Sequence, residues 1–195
     1  MTNVLTSKFR ASFVFVFNKK ADKDRYELSM LFPDPKTLSG QDKADYERFM
    51  KAAKDAADAA AKEKWGDKLP KNLKSPFLDA GNYEYDGYEE GMTLVRTWTK
   101  RKPGVVDSQK NEIIDESEFY PGCYARATIA AFPYDVDGNR GVGFYLNNIQ
   151  KLSDGEPLLK GSSRAEDDFD AVDAGGDTSD SIFGGGDATD DNPFA

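Results

Sequence analysis

The chain of 195 residues carries 26 Lys and Arg against 35 Asp and Glu, a formal net charge of −9, with no His and a single Cys. That length accommodates one domain with a real core plus appendages. The lone Cys123 excludes an internal disulfide or a cysteine-based zinc site, and the lack of His removes the commonest general base. Met1–Arg10 shows no basic stretch followed by an apolar run, and no segment reaches the ~20 apolar residues of a membrane span, so the expectation is a soluble protein of a reducing, cytoplasmic compartment.

The first element is a strand. Phe9, Ala11, Phe13, Phe15 and Phe17 share one parity and Lys8, Arg10, Ser12, Val14 and Val16 the other, which assigns the three later phenylalanines to the core. Tyr26–Phe32 reads as its partner across a charged loop, Asn18–Arg25, and Pro33 and Pro35 end the pair. Ser39–Trp65 is the one clear helix, its body at about 41–65. Ser39 and Asp42 resemble a capping box, Ala-rich sequence fills the interior, and Gly66 stops it. Its apolar stripe, Tyr46, Phe49, Met50, Ala53, Ala57, Ala60 and Ala61, predicts packing against a sheet.

A loop rich in Gly, Tyr and Asp (79–91) precedes three more strands, Met92–Lys100, Gly122–Tyr134 and Gly141–Ile149. Asp137-Gly138-Asn139 suits a tight reversal between the last two. The fold class is therefore mostly β with one long helix. About five strands over residues 1–160 suit an OB-type five-stranded Greek-key barrel with the helix inserted, and a β-sandwich is the alternative.

On Gly122–Tyr134 one face is small and apolar (Cys123, Ala125, Ala127, Ile129, Ala131), while the other carries Tyr124, Arg126, Thr128, Phe132 and Tyr134. Arg96, Trp98, Lys100 and Lys102 alternate similarly on the preceding strand, with Arg101 beside them, and Tyr120 lies just upstream of the first set. Rings beside cations form an array that stacks bases and neutralises phosphates without reading base edges. The competing reading places each ring in the core with Arg and Lys at its rim. Other motifs fail. Asp135–Asn139 opens like a calcium loop, yet Leu146 stands where the loop needs a Glu. Gly138, Gly141 and Gly143 precede a strand where a dinucleotide fingerprint needs a helix. No catalytic set emerges; a carboxylate-held magnesium nuclease is the weaker enzymatic alternative, and binding itself calls for no cofactor.

From residue 161 onward the composition is that of a disordered acidic tail. Ten of the 35 acidic residues lie beyond Arg164 with no Lys or Arg, so residues 1–164 hold 25 acidic and 26 basic side chains, a net +1. Gly pairs and triplets separate acid-plus-Phe clusters at Phe169, Phe183 and Phe194.

Phe119-Tyr120-Pro121-Gly122-Cys123-Tyr124-Ala125-Arg126-Ala127, Gly141-Val142-Gly143, Leu146–Lys151, Asp154-Gly155-Glu156 and Ala165–Phe169 together resemble a family of phage single-stranded DNA-binding proteins long catalogued as a domain of unknown function. Trp65-Gly66 and Pro103–Asp107 fit as well, so the resemblance spans most of residues 8–170. It implies an OB-fold that binds single-stranded DNA in phage replication or recombination, inside an infected bacterial cell. The ending Asp190-Asp191-Asn192-Pro193-Phe194 is similar to the acidic, Pro-Phe tips of bacterial single-stranded DNA-binding proteins, which recruit replication and repair enzymes. This chain departs from them in Asn192 and in the extra Ala195. By that analogy Asp190, Asp191, Pro193 and Phe194 contact phage or host replication and recombination enzymes. The rival function is an acidic-tailed adaptor or DNA mimic with no DNA binding of its own.

Overall fold

The computed structural model describes residues 2–158; the tail expectations for residues 161–195 lie outside the described residues. The elements are β1 (Asn3–Leu5), β2 (Phe9–Lys20), β3 (Arg25–Phe32), α1 (Gly40–Trp65), β4 (Phe77–Asp79), β5 (Thr93–Thr99), β6 (Gly104–Val106), β7 (Tyr124–Val136) and β8 (Asn139–Ser153). Pairing runs β7-β2-β3-β5-β8 and returns from β8 to β7, closing a ring of five strands. All the ring contacts are antiparallel except β5–β8, which is parallel. Numbered along the chain, the ring reads 1-2-3-5-4, a Greek-key barrel of the OB type, and closure removes the long open edges of a flat sheet. The five ring strands are the five expected from periodicity. The additional strands β1, β4 and β6 have three residues each, too few for a period-2 signal.

Alternation fills the barrel with Leu28, Met30 and Phe32 of β3, Val95 of β5, Ala125, Ala127, Ile129 and Ala131 of β7, and Val142, Phe144, Leu146 and Ile149 of β8. Cys123 joins them, so the face of β7 expected to be interior is interior. The one buried hydroxyl at the centre of β5, on Thr97, is satisfied by donating to the Leu28 carbonyl at 2.9 Å.

The helix packs on β7, β1 and β8 through the predicted stripe. Phe49 stacks on Phe32 at 4.8 Å between ring centroids. Gly66 ends the helix at φ 66° with its N–H bonded to the Lys62 carbonyl. The capping box does not form. Ser39 takes the extended N-cap conformation, yet its side chain caps nothing, and Asp42 is drawn 3.1 Å from Lys8 Nζ instead. Among the described residues no helix is long and apolar enough to cross a membrane.

The assignment of Phe13 and Phe15 to the core is overturned. Ser12 pairs with Ser29 and Phe15 with Glu27, so Phe13 and Val14 together oppose the single residue Leu28. This bulge reverses the alternation: Val14 and Val16 turn to the core, whereas Phe13 and Phe15 line a groove on the outer face. Phe17, half-buried, packs against the core as expected.

At the other end of the barrel, Asp137 and Gly138 both adopt positive φ (50° and 79°) between Val136 and Asn139. This is the two-residue hairpin turn its sequence specifies.

Candidate nucleic-acid interface

Barrel closure assembles an aromatic cluster on the outer face. Parallel pairing sets Trp98 of β5 beside Tyr145 of β8, and the antiparallel β7–β8 ladder sets Phe132 opposite Gly143. Phe132 and Tyr145 stack at 3.9 Å with 16° between their planes. Trp98 meets both edge-on, at 5.3 and 4.8 Å, an arrangement favoured by the ring quadrupoles. Tyr134 lies tilted against Phe132 at 6.3 Å. Gly141 and Gly143 make room for these rings: a Cβ on Gly143 would stand 2.8 Å from the Phe132 ring, and one on Gly141 would collide with the Tyr134 hydroxyl.

Cations converge next to this cluster. The Arg25 guanidinium sits over Trp98 at 4.9 Å and its Nε donates to Glu27 Oε1 at 2.7 Å. Lys23 and Lys20 approach the same carboxylate at 3.4 and 3.8 Å. Arg96 lies over Tyr83 at 4.7 Å. These side chains surround an open groove of about 320 Å³ whose walls include Phe13, Phe15, Ser29, Tyr85 and Trp98. The Lys20–Arg25 turn forms its cationic rim. There Asp24 is held below the usual carboxylate range, first by the 2.8 Å hydrogen bond from Lys19 and to a smaller degree by Lys100.

The structure divides the residues singled out in the sequence. Arg96 and Trp98 line the groove, Phe132 is buried (8% exposed) behind Trp98 with Tyr134 tilted against it, and Lys100 acts on Asp24 at the rim; Arg101 and Lys102 are exposed in the segment that follows. Three lie elsewhere. Tyr120 bonds Asp154 and the Gly155 carbonyl, bracing the end of β8. Tyr124 borders a small apolar recess with Phe9, Leu31 and Met92. Arg126 donates to Gln150 and faces the cleft between β1 and α1, about 20 Å along β7 from Phe132 at strand rise. Sequence reasoning passed over Lys20, Lys23, Arg25, Tyr83, Tyr85 and Tyr145. The charged hairpin loop Asn18–Arg25 and the Tyr-rich loop 79–91 are the signals the sequence offers for them.

The family model described as the ssDNA-binding protein of Enterobacter phage Enc34 matches residues 2–180. The putative protein p50 of Acyrthosiphon pisum secondary endosymbiont phage 1 is 29% identical over 118 residues, 55% of this chain and 63% of that protein, so the match spans less than two thirds of that relative. Among solved structures, the single-stranded DNA-binding protein from bacteriophage Enc34 superposes with a TM-score of 0.65 at 17% identity, covering 86% of this chain and 90% of that one. The same protein in complex with ssDNA gives 0.65, covering 80% and 89%. The ssDNA-binding protein gp2.5 of bacteriophage T7 gives 0.55 at 14% identity, covering 84% and 98%. With the family model matching nearly the whole length and the barrel shared with these structures, the chain belongs to the family of the Enterobacter phage Enc34 ssDNA-binding protein.

Proposed function

We propose that this chain binds single-stranded DNA without base-sequence preference, in phage DNA replication or recombination, and that it does so by binding alone, without a cofactor. The observation that carries the reading is the pairing of an aromatic cluster, Trp98, Tyr145 and Phe132, with four cations, Lys20, Lys23, Arg25 and Arg96, on one outer face. In OB-folds the face of the second and third strands, flanked by the first and last hairpin loops, is where oligonucleotides lie. Here those strands are β3 and β5, and the hairpins are Lys20–Arg25 and Val136–Asn139. Rings offer π-faces to any base while cations meet phosphates, so neither contact depends on sequence. Membership in the family and the likeness to a protein solved with ssDNA support the same ligand.

The acidic tail completes the proposal. Asp190, Asp191, Pro193 and Phe194 recruit replication or recombination enzymes, and the tail's ten carboxylates compete with phosphate for the cationic face.

Fluorescence anisotropy with a labelled single strand, and with the same strand in duplex form, tests the DNA-binding part. The single strand is expected to bind more tightly, with log affinity falling against log salt by about 0.7 per phosphate neutralised. Equal affinity for both forms, or a flat salt response, overturns it.

A further inference from the structure

The Phe13 backbone sits at φ 47°, the left-handed region that Gly and Asn tolerate and a bulky aromatic side chain does not favour. Phe13 is 40% exposed and the neighbouring Tyr85 is 48% exposed. A bulky side chain on a left-handed backbone costs folding stability, and strain of this kind concentrates at functional sites. The bulge that produces it also aims the ring into the groove.

The surroundings hold a partner for that ring. Tyr88 donates to Ser12 Oγ at 3.1 Å, fastening the Tyr-rich loop to the residue just before the bulge. Tyr85 then meets Phe13 edge-on at 4.9 Å and Tyr88 at 5.3 Å, and lies nearly parallel to Tyr83. Arg96 covers Tyr83 from the side of β5. Phe13 on β2 and Trp98 on β5 stand two strands apart, about 10 Å at ordinary strand spacing, with Glu27 and Ser29 of β3 between them.

We infer that Phe13 and Tyr85 form a second base-stacking site, separate from the Trp98 cluster, so that a bound single strand crosses the groove from one set of rings to the other. The inference rests on the DNA-binding reading above. Phe13 is a binding residue whose backbone conformation is kept at the expense of stability, which gives it an unusual signature. Phe13→Asn suits the left-handed backbone and removes only the ring.

The test uses the full chain, thermal unfolding, and anisotropy with a fluorescein-labelled oligothymidylate. Phe13→Asn is expected to unfold at the wild-type temperature or above it, yet to bind at least about fivefold more weakly, with an unchanged salt slope because no charge is altered. Tyr85→Ala, in an exposed part of the loop, is expected to reproduce the weakening. If both variants bind within about twofold of wild type while Trp98→Ala binds more weakly, the second site is absent. A Phe13→Asn chain that unfolds at lower temperature, together with a Tyr85→Ala chain of wild-type affinity, assigns the ring to the fold and also overturns the inference. A wild-type chain that binds no oligothymidylate defeats the DNA-binding reading itself.

Discussion

Arg25 rests on the face of Trp98, 4.9 Å from ring to guanidinium carbon, although the two residues are 73 positions apart in the chain. The antiparallel β3–β5 ladder brings them together by setting Glu27 directly opposite Trp98, and Arg25 bends back to hold Glu27. One strand pair thus places an aromatic ring and a cation side by side, held by the carboxylate between them.

Trp98→Ala is expected to weaken single-strand binding by about 1–3 kcal/mol while the chain still unfolds cooperatively. Arg126→Ala, which alters a charge remote from the groove, is expected to weaken it far less. Anisotropy titrations of both variants check this, and equal losses would extend the interface along β7.

Glu27 lines the groove, and Arg25, Lys23 and Lys20 all turn toward its carboxylate. Glu27→Gln keeps the size and one acceptor oxygen but removes a charge that opposes phosphate. Tighter binding at low salt is expected, with a log–log salt slope steeper by up to about 0.7, the increment of one further phosphate contact. Asp55→Asn, an equal change of net charge on the exposed side of α1, where Asp55 bonds Lys51 away from the groove, serves as the control.

Gly143→Ala would put a methyl group 2.8 Å from the Phe132 ring, so the ring, stacked on Tyr145, must shift. Overpacking of this kind destabilises by about 1–3 kcal/mol. Thermal unfolding is expected to show that loss, and DNA titrations a weakening from the displaced ring. A variant matching wild type in both would separate the stack from binding.

Burial pushes the Cys123 thiol up to about 11. The unfolded chain releases that proton at lower pH than the native one, so the buried thiol's contribution is fully present below about pH 9 and is lost as pH rises through about 11. The unfolding free energy of wild type from urea titrations is therefore expected to fall over this interval more steeply than that of Cys123→Ala, by no more than about 2–3 kcal/mol in total. Parallel curves would show that the thiol does not contribute.

Deleting residues 165–195 removes ten carboxylates and is expected to tighten single-strand binding at low salt, with the gain shrinking as salt screens the tethered charges. Phe194→Ala leaves every charge in place, so it is expected to abolish capture of a replication or recombination enzyme without changing DNA affinity. Weaker DNA binding after truncation would reverse the proposed competition.

The sequence by itself determined whatever depends on near neighbours. Alternation over Cys123–Ala131 set the inner face of β7, the alanine-rich stripe set the buried side of α1, and Asp137-Gly138 set the hairpin turn, because each is a local periodicity or a local dihedral preference. The groove, in contrast, is a product of the whole barrel. The bulge at Phe13 is a mismatch of register with β3, invisible in β2 by itself, and it moves two phenylalanines from the expected core to the groove. Trp98, Tyr124 and Arg126 look equivalent as outward residues of alternating strands, yet only Trp98 meets Arg25 and Tyr145. The parallel contact that seats Tyr145 beside Trp98 joins segments 47 residues apart. Alternation along a strand tells which side of the barrel wall a residue is on; where on that wall it stands follows from ring closure, a property of all five strands together.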